Sequence, residues 1–173
     1  MKTRKSGIPS DSMTREFLPV DYSDSYEGEF TSTETITPDD LQIQFWTYMP
    51  KWMENLFKLR HILVKPFGLK AGEGNDTSKF EECIRSGGSH EVMSVAAKSE
   101  NETVLRLNDK HLCAYLSVHI RKKEGDTKIV NVSTLVNFHY WLGYVYFYSI
   151  YPFHHIVVRQ LIKHTLKRIS EGK

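Results

Sequence analysis

The 173-residue sequence has little cysteine and no large excess of charge of either sign. Its two cysteines, Cys83 and Cys113, form neither a CxxC pair nor a closely spaced framework, so the sequence predicts two free thiols in a reducing compartment, the cytoplasm. The 23 lysines and arginines against 21 aspartates and glutamates leave a net charge of +2, which lacks the basic excess of a dedicated nucleic-acid-binding protein. We therefore expect no nucleic acid among its partners.

Motifs that would indicate a particular chemistry are also missing. The basic N-terminus has no apolar segment behind its charges, so we expect residues 1–16 to be a mobile tail and residues 17–173 to form a single domain. The glycines between 72 and 88 match neither common phosphate-binding pattern. The eight histidines include no HExxH pair, and the adjacent His154 and His155 are expected to point to different sides of a helix. The sequence therefore predicts no metal and no cofactor.

Aromatic residues are abundant, with nine tyrosines and nine phenylalanines. In the segment 17–30, an extended chain places Tyr22, Tyr26 and Phe30 on one side, whereas the serines, aspartates and glycine between them are poor helix formers. This segment is predicted to be the first strand.

Two consecutive helices are predicted at 38–67. Thr37 is a suitable N-cap before Pro38 and two aspartates, and Pro50 marks the start of the second helix. We expect an apolar stripe along that second helix, which ends at Gly68. Its members are Trp52, Leu56, Leu59 and Leu63. The polar residues 70–89 are predicted to form a surface loop, with one ordered turn near 80–84.

After this loop the hydrophobic period changes to two. Residues alternate at 112–121 and 130–138, and shorter strand patterns occur at 92–97 and 103–107. The spacers between these segments are too short for parallel crossovers, so they predict a four-stranded antiparallel meander.

The most unusual segment is the aromatic run HYWLGYVYFYSIYPFHHIVV at 139–158. It is long enough to cross a bilayer, but it contains three histidines and a proline and precedes a basic amphipathic helix, so no stable membrane insertion is expected. We predict one long C-terminal helix at 140–170, kinked near Pro152 and buried on most sides. Because buried tyrosine hydroxyls need partners, several tyrosines of this run are expected to line an internal cavity.

Four groups of short strings resemble the bacterial domain-of-unknown-function family 2867. They are PKWM with KLR and KPFGL within 50–69, NDKHL at 108–112, STLV at 133–136, and LGYVYF followed by IYPFH within 142–154. The last of these, with the pattern IxPFH, is the most specific. The chain departs from the family pattern at Tyr144, where an arginine is expected, and at Cys113, where an acidic residue often stands.

The resemblance, together with the order of the elements, implies an α+β helix-grip fold of the START and pollen-allergen-like (SRPBCC) superfamily. In that fold a curved antiparallel sheet packs on a long C-terminal helix, two shorter helices follow the first strand, and a cavity lies between sheet and helix. The family has no assigned reaction. The nicotinamide-cofactor-binding domain fused to some relatives is not expected within these residues.

The leading interpretation is a non-enzymatic domain that binds a hydrophobic or amphipathic small molecule in this cavity, with no catalytic residue assigned. Arg60 is a candidate partner for a carboxylate head group. The full set of candidate ligand-binding residues is Trp46, Trp52, Arg60, Tyr115, Thr134, Tyr144, Tyr148, Tyr151 and His155.

Two alternatives stay open. The first is an enzyme acting on such a ligand, with Asp109, His111 or His155 as proton carrier. The second is an interaction module that docks a partner protein through the aromatic segment 139–158. The sequence leaves the identity of the ligand and the oligomeric state open.

Overall fold

The computed structural model describes residues 2–64 and 77–171, apart from the side chains of residues 57 and 60–64. Within these residues, the strands are β1 (Thr3–Ser6), β2 (Tyr22–Thr31), β3 (Ser89–His90), β4 (Met93–Lys98), β5 (Glu102–Asn108), β6 (Leu112–Lys122) and β7 (Thr127–Phe138). The helices are α1 (Pro38–Thr47), α2 (Lys51–Val64), α3 (Thr77–Ser86) and α4 (Trp141–Ser170), with a short 3-10 helix at Met13–Phe17.

The strands form one curved antiparallel sheet in the order β1-β2-β7-β6-β5-β4-β3. The predicted α+β helix-grip architecture is confirmed, and the four-stranded meander is its β4–β7 part. Pairing places Asp24, Thr134, Leu116 and Leu105 in one row across four strands. Because side chains alternate along each strand, this row defines one face of the sheet, the inner face, which carries α4.

The neighbouring row of residues lies on the opposite, outer face. Pairing places Ser94, Arg106, Tyr115 and Leu135 side by side in this row. Residues just before β2 cover part of this face, since the Phe17 ring stacks on Tyr115 with 4.2 Å between ring centroids. The outer face of β6 is therefore covered at Tyr115, while the inner face of the sheet carries α4.

The N-terminal segment, expected to be a mobile tail, is part of the sheet. Residues Thr3–Ser6 pair with Gly28 to Ser25 as edge strand β1, although TRKS contains no apolar residue. The side chains of Thr3, Ser12 and Thr14 are buried. Backbone pairing and polar contacts, which leave no hydrophobic pattern in a sequence, hold this segment in place.

The first helix follows its prediction closely. The Thr37 side chain accepts a hydrogen bond from the Asp40 backbone N–H, and the Asp40 carboxylate accepts one from the Thr37 N–H. This reciprocal capping box, with Pro38 at the first turn, explains why α1 begins at that residue.

The predicted apolar stripe of α2 is wrong at Trp52 and Leu59. Trp52 and Leu59 are 42% and 49% exposed, whereas Met53 is fully buried. Met53 thus faces the core in place of Trp52, one residue or about 100° further round the helix, while Leu56 of the predicted stripe is partly buried. The side chain of Leu63 is not among the described side chains. Gly68 and the first part of the predicted loop lie outside the described residues. The second part of that loop is the ten-residue helix α3, which buries Cys83 and Ile84.

Apolar packing on the inner face holds α4 against the sheet. A cluster of buried side chains joins β2, β6 and β7 to α1 and to the second half of α4. At Gly28, an added Cβ would lie 2.8 Å from Leu166 Cδ1 and 3.0 Å from Ile162 Cγ2, so the helix sits directly on the β2 backbone. A second cluster, centred on Ile43, Ile84 and Leu105, packs α1 and α3 on the same sheet.

The first half of α4 is less buried than the sequence predicts. Trp141 is 68% exposed, and Phe153 and Ile156 are also exposed, whereas Tyr146 and Phe147 are buried. Gly143 is required at the helix start, because a Cβ there would lie 2.2 Å from the His111 carbonyl oxygen. Among the described helices, none has the length and apolarity needed to cross a membrane.

Candidate functional site

A carboxylate is buried at the contact between β2 and α4. Asp24 points from the inner face towards α4, and its side chain is 1% exposed. Oδ2 accepts a hydrogen bond from the Tyr22 hydroxyl at 2.6 Å. Oδ1 has no hydrogen-bond partner among the residues that the structure describes. Only one of the two oxygens of this carboxylate thus accepts a hydrogen bond from these neighbours.

Two histidines of α4 approach the same carboxylate. His154 Nε2 lies 3.2 Å from Asp24 Oδ2, and His155 Nδ1 lies 3.7 Å from it. The sequence predicts that these adjacent residues point to different sides of the helix. This prediction is wrong, because both side chains approach Asp24. The short His154 contact lacks hydrogen-bond alignment, so its attraction to Asp24 depends on protonation of the imidazole.

Tyr26 connects His155 to the sheet. Its hydroxyl lies 2.5 Å from His155 Nδ1. Burial lowers the pKa of His155, against the opposing effect of Asp24, while burial and the Asp24 charge raise the pKa of Tyr26. At neutral pH the phenol therefore stays protonated and donates to a neutral imidazole, which places the imidazole proton on Nε2.

Aromatic rings surround this polar group on the inner face. The Tyr22 ring lies 4.6 Å from Phe147 and 5.7 Å from Tyr151, measured between ring centroids, and Tyr151 lies 4.4 Å from the His155 ring. Burial, followed by the hydrogen bond to Asp24 and the charge of Asp24, raises the pKa of Tyr22. We call Tyr22, Asp24, Tyr26, His154 and His155 the Asp24 cluster.

Three of the predicted ligand-binding residues lie at or beside the Asp24 cluster. Thr134 is buried and pairs directly with Asp24 across β2 and β7. His155 is a member of the cluster, and Tyr151 packs on it.

Other predicted residues lie elsewhere along the helices. Tyr144 and Tyr148 are about half exposed and stack on each other at 5.6 Å, next to Phe138. Trp46 is partly buried between the two apolar clusters. Trp52 is exposed on α2, and the side chain of Arg60 lies outside the described part of α2.

Tyr115 does not face α4. It stands in the outer row of the sheet, on the opposite face from Asp24 and Thr134. Its inclusion among residues lining a space between sheet and α4 is therefore wrong.

The other predicted proton carriers lie at the turn between β5 and β6. Asp109 accepts a hydrogen bond from the Lys110 N–H at 2.7 Å, as turn aspartates do. His111 is buried, and its Nδ1 is hydrogen-bonded to the Tyr140 hydroxyl at the start of α4. Neither group is among the contacts of Asp24.

The sequence contains a signal for the Asp24 cluster that the apolar pattern hides. In YSDSY, Asp24 lies between Tyr22 and Tyr26 at period two, which places a carboxylate on an otherwise aromatic strand face. His154 is the last residue of the IxPFH string. Across the described segments, no group of three or more histidine, cysteine, aspartate or glutamate side chains is arranged to hold a metal ion.

The fold and this site define a helix-grip α+β domain with a carboxylate and two imidazoles buried between its sheet and its last helix. The chain belongs to the DUF2867 family, described as proteins of unknown function, whose model matches residues 17–161. No curated protein and no solved structure matches the chain significantly.

Proposed function

We propose that this protein binds a hydrophobic or amphipathic small molecule between the inner face of the sheet and α4, and that Asp24 receives a hydroxyl or amine group of that molecule. The observation that carries the proposal is the buried Oδ1 of Asp24, which has no donor among the described residues. A buried carboxylate oxygen without a donor costs free energy, and a ligand donor at this position would recover it.

The surroundings of Asp24 support an amphipathic ligand. Tyr22, Phe147 and Tyr151 offer ring faces and edges beside a single acidic group. Because its lowered pKa keeps His155 neutral at pH 7, this imidazole does not neutralise the Asp24 carboxylate. Ligand sites commonly combine an apolar wall with a few polar groups in this way.

The resemblance to the START and pollen-allergen-like superfamily agrees with a ligand-binding role, although a shared fold alone does not establish a function. The two unpaired cysteines are compatible with a cytoplasmic location, which we include in the proposal.

A specific contact favours the enzymatic alternative. The hydrogen bond between Tyr26 and His155, with Asp24 nearby, could relay a proton to a bound substrate, with His155 as the proton carrier. This alternative predicts turnover of a bound molecule that is lost in His155→Phe, whereas binding without turnover supports the non-enzymatic proposal.

The exposed apolar side chains of α4 favour the interaction alternative. Trp141, Val145 and Phe153 lie on its exposed side. Sedimentation velocity over a range of protein concentrations tests whether the protein self-associates through this surface. If it does, a Trp141→Ser, Phe153→Ser double variant should no longer associate.

The binding proposal is tested with N-phenyl-1-naphthylamine, a fluorescent apolar probe with one N–H donor. We expect saturable binding to the full-length protein and at least about fivefold weaker binding to Asp24→Asn, since the charge-assisted hydrogen bond is lost. The matched control is Glu29→Gln, which removes an exposed carboxylate from the outer face of the same strand and should leave binding unchanged.

Two outcomes contradict the proposal. One is the absence of saturable binding of this probe, together with no co-purifying small molecule in native mass spectrometry. The other is equal affinity of the Asp24→Asn and Glu29→Gln variants.

A further inference from the structure

A pocket of about 480 Å³ lies on the outer face of the sheet, away from the Asp24 cluster. Its lining residues come from the 3-10 helix, the turn after α3, and strands β3, β4, β5 and β6. They are Phe17, Gly87, Gly88, Ser89, Ser94, Val95, Ala96, Arg106 and Tyr115. Its volume is within the range of roughly 300–1,000 Å³ that is typical of small-molecule sites.

One wall of this pocket is aromatic. The rings of Phe17 and Tyr115 stack at 4.2 Å with an interplanar angle of 16°, and both are only partly buried. Ser12 caps the 3-10 helix that carries Phe17 and is hydrogen-bonded to buried Glu102, so the position of Phe17 is set by the fold. Because each ring covers one face of the other, the ring faces and edges that the stack leaves free form a fixed platform for a planar ring.

A cation stands beside the aromatic wall. Arg106 pairs in register with Tyr115 on one side and with Ser94 on the other, so all three side chains project from the outer face. Arg106 is exposed and makes no hydrogen bond or ion pair within the described segments. Its charge acts on Tyr115, where it opposes the rise in pKa that burial and the Cys113 thiol produce.

The rim of the pocket opposite the aromatic wall is polar and lacks large side chains. Ser89 and Ser94 supply hydroxyl groups, and Gly87 and Gly88 carry no side chain into the space above the strand edge. A Cβ at Gly87 would meet no atom within 4 Å. A flat ligand can therefore lie on the aromatic wall with its polar end towards Arg106.

We propose that this pocket is a second ligand site, which takes a small aromatic carboxylate. The ring lies on the Phe17–Tyr115 platform, and the carboxylate pairs with the Arg106 guanidinium, whose planar fork matches two carboxylate oxygens. Ser94, the neighbour of Arg106 in the row, donates to the same carboxylate. This site lies on the outer face of the sheet and prefers a negatively charged ligand. The proposed site at Asp24 lies on the inner face and prefers a hydrogen-bond donor or a positively charged group.

The experiment uses 2-naphthoate as the probe and titrates it into the full-length protein by isothermal calorimetry or ligand-observed NMR. We expect saturable binding at one site, at least about tenfold weaker in Arg106→Gln and partly retained in Arg106→Lys, because lysine keeps the charge but loses the bidentate geometry. Ala96→Trp fills the pocket from its exposed rim and should abolish binding.

Two controls separate this site from other causes. Lys122→Gln removes an exposed cation at the end of β6 and should leave the affinity unchanged. 2-Naphthamide, the neutral analogue, should bind at least about tenfold more weakly than 2-naphthoate.

The proposal is overturned if 2-naphthoate shows no saturable binding, if Arg106→Gln binds it as well as the natural protein, or if amide and carboxylate bind equally. Loss of 2-naphthoate binding in Asp24→Asn would place the probe on the inner face, and this too contradicts the proposal. Failure of the N-phenyl-1-naphthylamine experiment has no bearing on these outcomes, because that probe has no carboxylate.

Discussion

Two buried carboxylates on opposite faces of the sheet have very different surroundings. Glu102, on the outer face, accepts hydrogen bonds from Ser12 Oγ at 2.6 Å, Ser117 Oγ at 2.5 Å and the Met13 backbone N–H at 2.6 Å, so that both of its oxygens are used. Asp24, on the inner face, accepts one hydrogen bond, at Oδ2, from the part of the chain that the structure describes. Both side chains are almost fully buried.

The difference distinguishes a structural carboxylate from a candidate functional one. The donors of Glu102 belong to β6 and to the N-terminal segment, so this carboxylate fastens residues 12–13 to the outer face. The neighbours of Asp24 are two histidines and a tyrosine, groups that can themselves lose or gain a proton or bind a ligand. Buried polar groups are normally hydrogen-bonded, so the oxygen of Asp24 that has no donor among the described residues makes this carboxylate, and not Glu102, the candidate for a ligand contact.

The largest effect that this comparison predicts is at Glu102. Glu102→Ala should lower the free energy of unfolding by about 3 kcal/mol, because it leaves a backbone N–H and two hydroxyls without their acceptor. Chemical denaturation measures this change. Glu29→Gln, an exposed carboxylate paired with Lys123, is the control and should change stability by less than about 0.5 kcal/mol. Equal changes in the free energy of unfolding in Glu102→Ala and Glu29→Gln would contradict a structural role for Glu102.

On the inner face, stability should depend on side-chain volume rather than on hydrogen bonds to a carboxylate. Gly28→Val places side-chain atoms where Leu166 and Ile162 already lie, and overpacking of this kind costs about 2 kcal/mol. Gly7→Ala is the matched control, since a Cβ there would meet nothing within 4 Å. Thermal or chemical unfolding of both variants checks the prediction, and a Gly28→Val protein as stable as Gly7→Ala would mean that α4 does not sit on β2 as described.

Much of the fold could be predicted because its main elements have repeating apolar patterns. Alternation at 112–121 and 130–138 predicts β6 and β7, and the Thr37–Pro38 start predicts α1. β1 could not be predicted in this way, since its TRKS sequence joins the sheet through backbone hydrogen bonds and the Arg4–Glu27 ion pair. In α2 the error arose because Trp52 and Met53 are adjacent, and spacing alone does not tell which of them faces the core.

The candidate site was predictable only in part, because it joins residues that are far apart in the chain. His155 could be selected as a polar residue on the aromatic helix, but its contact with Asp24 depends on how α4 crosses β2. Tyr115 was assigned to the wrong face because both faces of β6 are covered, so apolar character does not distinguish them. Pairing register, which no local pattern contains, decides this.

Asp24 should contribute much less to stability than Glu102. Asp24→Asn removes a buried negative charge whose Oδ1 has no donor within the described segments, so the free energy of unfolding should stay the same or rise by up to about 1 kcal/mol. Urea denaturation, with Glu102→Gln measured alongside, makes the comparison direct. A loss of stability in Asp24→Asn as large as that in Glu102→Gln would show that the Asp24 carboxylate is structural, and the contrast between the two faces would fail.

The smallest effect concerns His155 and pH. Burial holds its folded-state pKa below the ordinary value of 6.5, so below that pH the unfolded chain takes up a proton that the folded protein does not. Stability should therefore be fully present above about pH 6.5 and should decline as the pH falls towards the folded-state pKa. In His155→Asn, whose side-chain oxygen can still accept from Tyr26, this decline should be shallower when urea midpoints at pH 7.5 and 5.5 are compared. A steeper decline in His155→Asn than in the natural protein would mean that Asp24 pairs with a protonated His155, and the carboxylate would then be satisfied without a ligand.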